Sequence, residues 1–327
     1  MHVSDALISP PVALSAGIIS FALIGLAAKK IKDNDKPDII PLMGVMGAFV
    51  FAAQMINFTI PGTGSSGHLI GGILLASVLG PWCAFITLAS ILIVQCLFFA
   101  DGGLLALGCN ILNMGATSCL LAFPFIYKPI VGSDFKTWRI MVASIAASVF
   151  ALELGAFAVT VETEISQVTA LPISLFLKFM LPIHLAIGLI EGIVTGSLII
   201  FIAKNSPQTL LTHNFTSQED KKQYKSGSKK AIWIFGLLTL FFAGAFSVLA
   251  SEYPDGLEWS IEKVSGITEF EETVPATALM PDYESGFAGL VGVVIVLGII
   301  WVFSSLIFAR IKKAKIKNES SESGPDL

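Results

Sequence analysis

Long apolar runs separated by short charged segments restrict this chain more than any other feature. Stretches 11–28, 39–56, 104–127, 137–160, 180–203, 231–250 and 286–309 are each 18 or more residues long and almost free of charge. A helix needs ~20 apolar residues to cross the ~30 Å hydrocarbon core of a bilayer. Inside lipid the backbone must satisfy its own hydrogen bonds, which a helix does within one segment. The run 69–100 is too long for one ordinary span, and Leu79-Gly80-Pro81-Trp82 breaks it. That turn signature divides it into two short spans, 69–79 and 82–99. The expected fold is therefore an all-α polytopic membrane protein with about nine transmembrane helices. Only 13% of the residues are charged, about half the share of a soluble domain, so most of the surface is expected to face lipid.

The positive charges give the orientation. Segments 29–38, 128–139, 204–230 and 310–317 hold eighteen of the twenty lysines and arginines. Nine spans place all four segments on one face, and the excess of lysine and arginine marks that face as cytoplasmic. A single span over 69–100 would put Lys128, Lys136 and Arg139 on the opposite face, against the same rule. The N-terminus is then outside and the C-terminus cytoplasmic. Segment 251–285 lies outside with nine acidic residues against Lys263, a charge balance that concentrates cations locally and that also suits a plain solvated loop.

The chain divides into a seven-span unit, 1–203, a polar and flexible cytoplasmic linker, 204–230, a two-span unit, 231–310, and a cytoplasmic tail, 311–327. Cys83, Cys96, Cys109 and Cys119 lie in or beside apolar runs, contain no CxxC pair and read as packing residues. The first residues, Met1-His2-Val3-Ser4-Asp5-Ala6, lack the basic stretch of a cleavable signal peptide. A terminus beginning Met1-His2 is expected to stay intact, because removal of the methionine requires a small second residue.

An exterior Met1-His2 offers an unusual set of donors. The α-amine of Met1, the backbone amide of His2 and the imidazole Nδ1 of His2 can close a five-membered and a six-membered chelate ring on one ion. Ionising a backbone amide requires a metal that favours planar nitrogen ligands, which selects Ni²⁺ or Cu²⁺, with Co²⁺ less readily held. A fourth donor is available from His68, at the end of Pro61-Gly62-Thr63-Gly64-Ser65-Ser66-Gly67 between two spans on the same face. The glycines allow this loop to fold closely over a small site. The loop lacks the Gly-Lys-Ser/Thr ending of an ATP-binding loop, and no such ending occurs elsewhere, so this chain cannot power transport alone.

Other polar groups lie at membrane depth. His184 and Glu191 are seven residues apart on one helix face, Glu153 is in another span, and Asp101 follows a span end. Intramembrane ionisable groups point to function, although each could equally make an interhelical hydrogen bond. Gln54, Asn57, Asn110 and Asn113 are amides that could orient His2 or His68. The repeated small-residue spacing Gly188, Gly192, Gly196 reads as close helix packing.

Several of these segments resemble the CbiM/NikM family, the metal-binding membrane component of cobalt and nickel energy-coupling-factor transporters. They are Met1-His2 with Ser4-Asp5-Ala6-Leu7-Ile8-Ser9-Pro10, Gly44-Val45-Met46-Gly47, Ile60-Pro61-Gly62-Thr63-Gly64, Ser66-Gly67-His68-Leu69, Asp101-Gly102-Gly103, Gly108-Cys109-Asn110, and His184-Leu185-Ala186-Ile187-Gly188 with Glu191-Gly192. Pro254-Asp255-Gly256-Leu257-Glu258 in the second unit is similar to the two-span accessory subunit of the same systems, here fused to the first unit. The resemblance implies Ni²⁺ or Co²⁺ as transported substrate and Met1, His2 and His68 as ligands. Asp5, Asn57, Asp101, Asn110, His184 and Glu191 are then supporting or pathway candidates. It also implies a membrane coupling subunit and cytoplasmic ATPases as partners, in the plasma membrane of a prokaryote. The lipid bilayer is the expected environment, and no nucleic-acid partner is expected. Two rivals stay open on the residues alone: a membrane enzyme with a His184/Glu191 site, and a cation transporter that works without an ATPase.

Overall fold

The computed structural model describes residues 1–31, 39–132, 135–210, 218–246, 250–267, 280 and 289–302. Expectations for Lys32 and Lys36, for the acidic positions from Glu269 to Glu284 and for the tail 311–327 lie outside the described residues. Among the described residues, ten helices of at least eight residues carry the chain. They are α1 (Pro10–Ile31), α2 (Ile39–Gln54), α3 (Gly72–Leu79), α4 (Pro81–Phe99), α5 (Leu107–Val131), α6 (Thr137–Ser166), α7 (Ile173–Asn205), α8 (Gln218–Phe241), α9 (Gly256–Ser265) and α10 (Gly289–Val302). A small antiparallel hairpin, β1 (Phe58–Ile60) and β2 (Ser65–Gly67), joins α2 to α3.

Among the described residues five helices, α1, α4, α5, α6 and α7, are long and apolar enough to cross a membrane, and α2 and α10 are shorter apolar helices. Their outer surface is apolar too. On α1, Phe21 is 79% exposed, Leu14 66% and Ile18 62%. In water that stripe would be an aggregation surface; in lipid it is the solvated face.

The middle of the bundle is α3. Every one of its eight residues is buried, and its length of about 12 Å, at 1.5 Å per residue, is too short to cross a bilayer. The break before α4 follows from Gly80, at φ 92°, and from Pro81 at the first helical position. The first takes a conformation closed to other residues, and the second has no N–H to lose at a helix start. The backbone entering α3 is held by side chains. Glu191 accepts from the N–H groups of Ile70 and Gly71, both at 3.0 Å. Gln54 Nε2 donates to the Ile70 carbonyl at 2.8 Å, and Gln95 Nε2 donates to Gln54 Oε1 at 2.9 Å. Non-helical backbone at this depth survives only with such partners.

Helices α6 and α7 form the largest interface through Gly188, Gly192 and Gly196. A Cβ at Gly188 would stand 2.9 Å from Val149 Cα, and one at Gly196 would stand 2.8 Å from Met141 Sδ. At Gly192 it would collide with the Ile145 backbone. The small-residue spacing therefore packs one helix of the chain on the next.

Two differences from the sequence reading bear on the site. The expected flexible linker 204–230 is helical from Gln218 onward, continuous with the apolar part of α8. The segment 251–285, expected as an outside loop, is not only loop. Asp255 and Glu258 form a capping box that starts α9, whose Leu257 and Ile261 are buried, and Gly266 at φ 71° ends it.

A valine at Gly192 is expected to destabilise the protein by about 1–3 kcal/mol through overpacking. Thermal melting in detergent checks this, with Gly25→Val as the control, because nothing lies within 4 Å of a Cβ at Gly25.

Candidate metal centre

The N-terminal segment is drawn into the protein rather than trailing from it. Val3 N–H donates to Asn110 Oδ1 at 2.8 Å, and Asn110 Nδ2 donates to the Val3 carbonyl at 3.1 Å. Gly103 N–H donates to the same carbonyl at 2.9 Å, and Asp5 Oδ1 accepts from Ala106 N–H at 2.9 Å. A side chain at Gly103 would overlap Asp5, and one at Gly102, where φ is 89°, would stand 2.8 Å from Asn110 Nδ2. The Asp101-Gly102-Gly103 turn is thus a groove that the first residues fill. The Met1 side chain tucks against α6, where a Cβ at Gly155 would lie 2.7 Å from Met1 Cε.

This anchoring buries the α-amine of Met1 among three elements. It donates to His68 Nε2 at 3.1 Å and to Asp255 Oδ2 at 2.5 Å. His68 Nδ1 lies 3.3 Å from the Leu69 carbonyl. That oxygen can only accept, so Nδ1 carries the proton and Nε2 turns its lone pair toward the amine. The imidazole rings of His2 and His68 stack, with centroids 4.9 Å apart and an angle of 18° between planes. His2 Nδ1 pairs with Asp101 Oδ1 at 3.0 Å.

His68 is presented by β2, and β2 is clamped by the second unit. Ser66 N–H donates to the Pro254 carbonyl at 2.8 Å, Ser66 Oγ to the Tyr253 carbonyl at 2.7 Å, and Trp259 Nε1 to the Thr63 carbonyl at 3.0 Å. Asp255 performs two tasks at once. Its Oδ1 caps α9 by accepting from Leu257 and Glu258 N–H, while Oδ2 faces the amine.

The electrostatics follow from burial and pairing. Burial, then the positive charge of the amine and the His2 ring, push His68 down to about 3, with Asp255 and Asp101 opposing. His68 is accordingly a neutral donor through the neutral and mildly acidic range. Burial alone would raise Asp255, but the amine and His68 outweigh it and hold the carboxyl well below the usual range. Burial likewise works against Asp101, and the His2 charge and hydrogen bond keep that carboxyl low. The charge of Asp255, ahead of burial, pushes Glu258 up to about 7.

Among the sequence candidates, Met1, His2 and His68 meet in one place, with Asp101, Asp5 and Asn110 holding the segment that carries the first two. Glu191 acts one step back, on the backbone after His68. Asn57 joins only through its backbone carbonyl, which accepts from Ser251 N–H at 2.8 Å. Asn113 bonds Glu162 Oε2 at 2.7 Å instead of either histidine. His184 is buried on α7, beside Gly256. Asp255 was not among the candidates; the pattern Asp255-x-x-Glu258 is a helix-start signature that would have drawn attention to it. Among the described residues no three His, Cys, Asp or Glu side chains form a ready cage for a metal. A set built here has to use the terminal amine and a backbone amide.

Residues 2–209 match the family model CbiM, described as the cobalt uptake substrate-specific transmembrane region. The chain belongs to the CbiM family. Residues 229–309 match the PDGLE domain, so a CbiM unit is fused here to a PDGLE unit. A protein of Archaeoglobus fulgidus is 28% identical over 311 residues, covering 91% of this chain and 96% of its own length. The fused nickel transport protein NikMN of Rhodobacter capsulatus is 28% identical over 222 residues, covering 64% of each chain. A crystal structure of a transition metal transporter aligns with a TM-score of 0.57 at 27% identity, covering 69% of this chain and 99% of that one. The chain is a membrane component of metal transport rather than an enzyme.

In the CbiM unit, Asn110→Ala removes two hydrogen bonds to Val3, worth about 1–3 kcal/mol together. Acylation of the Met1 α-amine by a water-soluble reagent is then expected to speed up on the order of tenfold, since 1.4 kcal/mol is a factor of ten in an opening equilibrium.

Proposed function

We propose that this chain is the substrate-binding component of an energy-coupling-factor type ATP-driven importer, and that it takes up Ni²⁺ or Co²⁺ at its own first two residues. The observation that carries this reading is the meeting of the Met1 amine, the His2 ring and His68 Nε2 in one buried place. The ion binds the amine, the deprotonated amide and Nδ1 of His2, and His68 Nε2 as the fourth nitrogen. In the structure the amine is held by Asp255 and His68, and His2 Nδ1 by Asp101. The ion takes the place of protons shared with those two carboxylates, which then remain beside it as balancing charge. CbiM relatives are named for nickel and for cobalt, and the four-nitrogen set accommodates both, with the planar preference favouring Ni²⁺.

Release is the costly step. The membrane potential favours inward movement by ~2.3 kcal/mol per charge per 100 mV, whereas a nanomolar site holds its ion by ~12 kcal/mol. Work has to come from other subunits, a membrane coupling protein and cytoplasmic ATPases. The site faces the exterior of a prokaryotic plasma membrane in this reading, and the first seven-span unit reorients when ATP is used.

His2→Ala, and separately a one-residue extension before Met1, are each expected to weaken Ni²⁺ binding at least 100-fold by calorimetry on the purified chain. Mass spectrometry of the same material should find Met1 retained. Full affinity in both variants would refute the site.

Binding should also release protons and weaken as pH falls, because the amine and the backbone amide must give up protons. His68 is a free base down to about 3, so it adds nothing to this loss above about pH 4. Calorimetry in two buffers of different ionisation enthalpy measures the released protons, and a value of zero contradicts the amide ligand.

A further inference from the structure

The end of α5 farthest from Asn110 carries features that the metal centre does not use. Tyr127 is 4% exposed, and its phenol oxygen is buried with no hydrogen-bond partner. The ring is stacked on Phe123, with centroids 5.3 Å apart and 17° between planes, which fixes where the hydroxyl points. A buried hydroxyl without an acceptor is costly, and folded proteins keep few of them. Ser77 borders the same space but gives its own proton to the Ile73 carbonyl at 2.8 Å.

That space is a cavity of about 140 Å³, walled by Phe123, Pro124, Val131, Phe135 and Leu210, with Ser77, Tyr127 and Lys128 as its polar lining. An apolar cavity of about 150 Å³ takes up a benzene-sized group, so this one has room for the first part of an acyl chain. Two cations stand at its rim. Lys128 lines it and is exposed. Arg139 reaches it over Gly132, where a Cβ would stand 2.9 Å from Nη1. Among the described residues neither cation is paired with a carboxylate. Trp138 is 61% exposed, with Arg139 Cζ 5.7 Å from its ring centroid. Tryptophan beside basic residues is the usual composition at the headgroup level of a bilayer. The dipole of α5 favours cations at its C-terminal end, but it accounts neither for the cavity nor for the hydroxyl turned into it.

We propose that this cavity binds one anionic glycerophospholipid. The phosphate lies between Lys128 and Arg139, whose guanidinium suits a phosphate geometrically. The Tyr127 hydroxyl donates to an ester carbonyl of the same lipid, and the start of an acyl chain fills the apolar walls. Basic pockets between membrane helices hold anionic headgroups in this way. A free phosphate would meet the two cations and leave both the walls and the hydroxyl unmatched. A zwitterionic headgroup would bring a third cation to a rim that already has two. The lipid joins the turn between α3 and α4, the end of α5 and the segment at Leu210, so it should also stabilise the fold.

The test uses the full-length protein in detergent. Native mass spectrometry should show one dioleoyl phosphatidylglycerol held on the order of tenfold more tightly than dioleoyl phosphatidylcholine. Phosphatidylglycerol should also raise the melting temperature more. Glycerol 3-phosphate in large excess should not displace the lipid. Lys128→Gln combined with Arg139→Gln should remove the preference. Tyr127→Phe should weaken phosphatidylglycerol by roughly three- to tenfold through the lost hydrogen bond, and Val131→Phe, which fills the cavity and leaves the charges in place, by a similar factor. Equal affinity of the wild type for the two lipids overturns the proposal without any variant. Displacement by glycerol 3-phosphate overturns it in favour of a plain phosphate site. A double variant that melts like the wild type and keeps the preference overturns it, as does unchanged binding in both Tyr127→Phe and Val131→Phe. A wild-type protein that retains no lipid leaves the cavity to a protein segment and overturns it as well.

Discussion

A positive charge inside this protein sets the terms for the rest. The α-amine of Met1 belongs to a residue only 3% exposed, and an isolated ammonium cannot be buried without partners. It is paired by Asp255 and by the lone pair of His68. These two partners come from different parts of the fold, one from the turn after a hairpin and one from the start of a short helix in the second unit. The terminus is therefore one of the points at which the two fused units meet. Removing one partner leaves a buried charge exposed to the full desolvation penalty.

The polar network further in serves the same end. Glu191 turns both carboxylate oxygens to the backbone between His68 and α3, and the Gln95–Gln54 pair fixes the carbonyl on the other side. A broken helix in a lipid-solvated bundle would otherwise leave several backbone groups without partners. Glu191, one of the groups that looked most like part of a membrane reaction centre, is spent in this way on structure. Glu191 positions the backbone that carries His68.

Much of the fold could be read in advance. The apolar runs mark α1, α2, α4, α5, α6 and α7, and Leu79-Gly80-Pro81 marks the break between α3 and α4, because lipid and backbone hydrogen bonding leave few alternatives. The meeting of Met1, His2 and His68 was also legible, since Met1-His2 has chelating geometry in its covalent structure and His68 ends a glycine-rich loop. The partner of the amine was not. Asp255 is 254 residues away, among acidic residues whose simplest reading is a solvated loop, and its capping role conceals its second oxygen. Asn57 and Asn113 failed as supports for a similar reason: an amide in the right stretch says nothing about which neighbour it will face. The helical start of α8 was missed because a lysine-rich segment looks the same in a flexible linker and on a helix face.

Membership in the CbiM family, the PDGLE fusion and the packing of that unit's Asp255 on the terminal amine are consistent with one economy. A chain that carries its own PDGLE unit builds one wall of the proposed metal position in cis. The claim on which this account depends is that the ion is gripped by the terminus itself. X-ray absorption at the nickel edge, on Ni²⁺-loaded full-length protein, examines the ion's own neighbours. Four nitrogen donors in a plane, two of them imidazole, are expected. A six-coordinate, oxygen-rich ion that keeps its spectrum after chemical acetylation of the Met1 amine would contradict it.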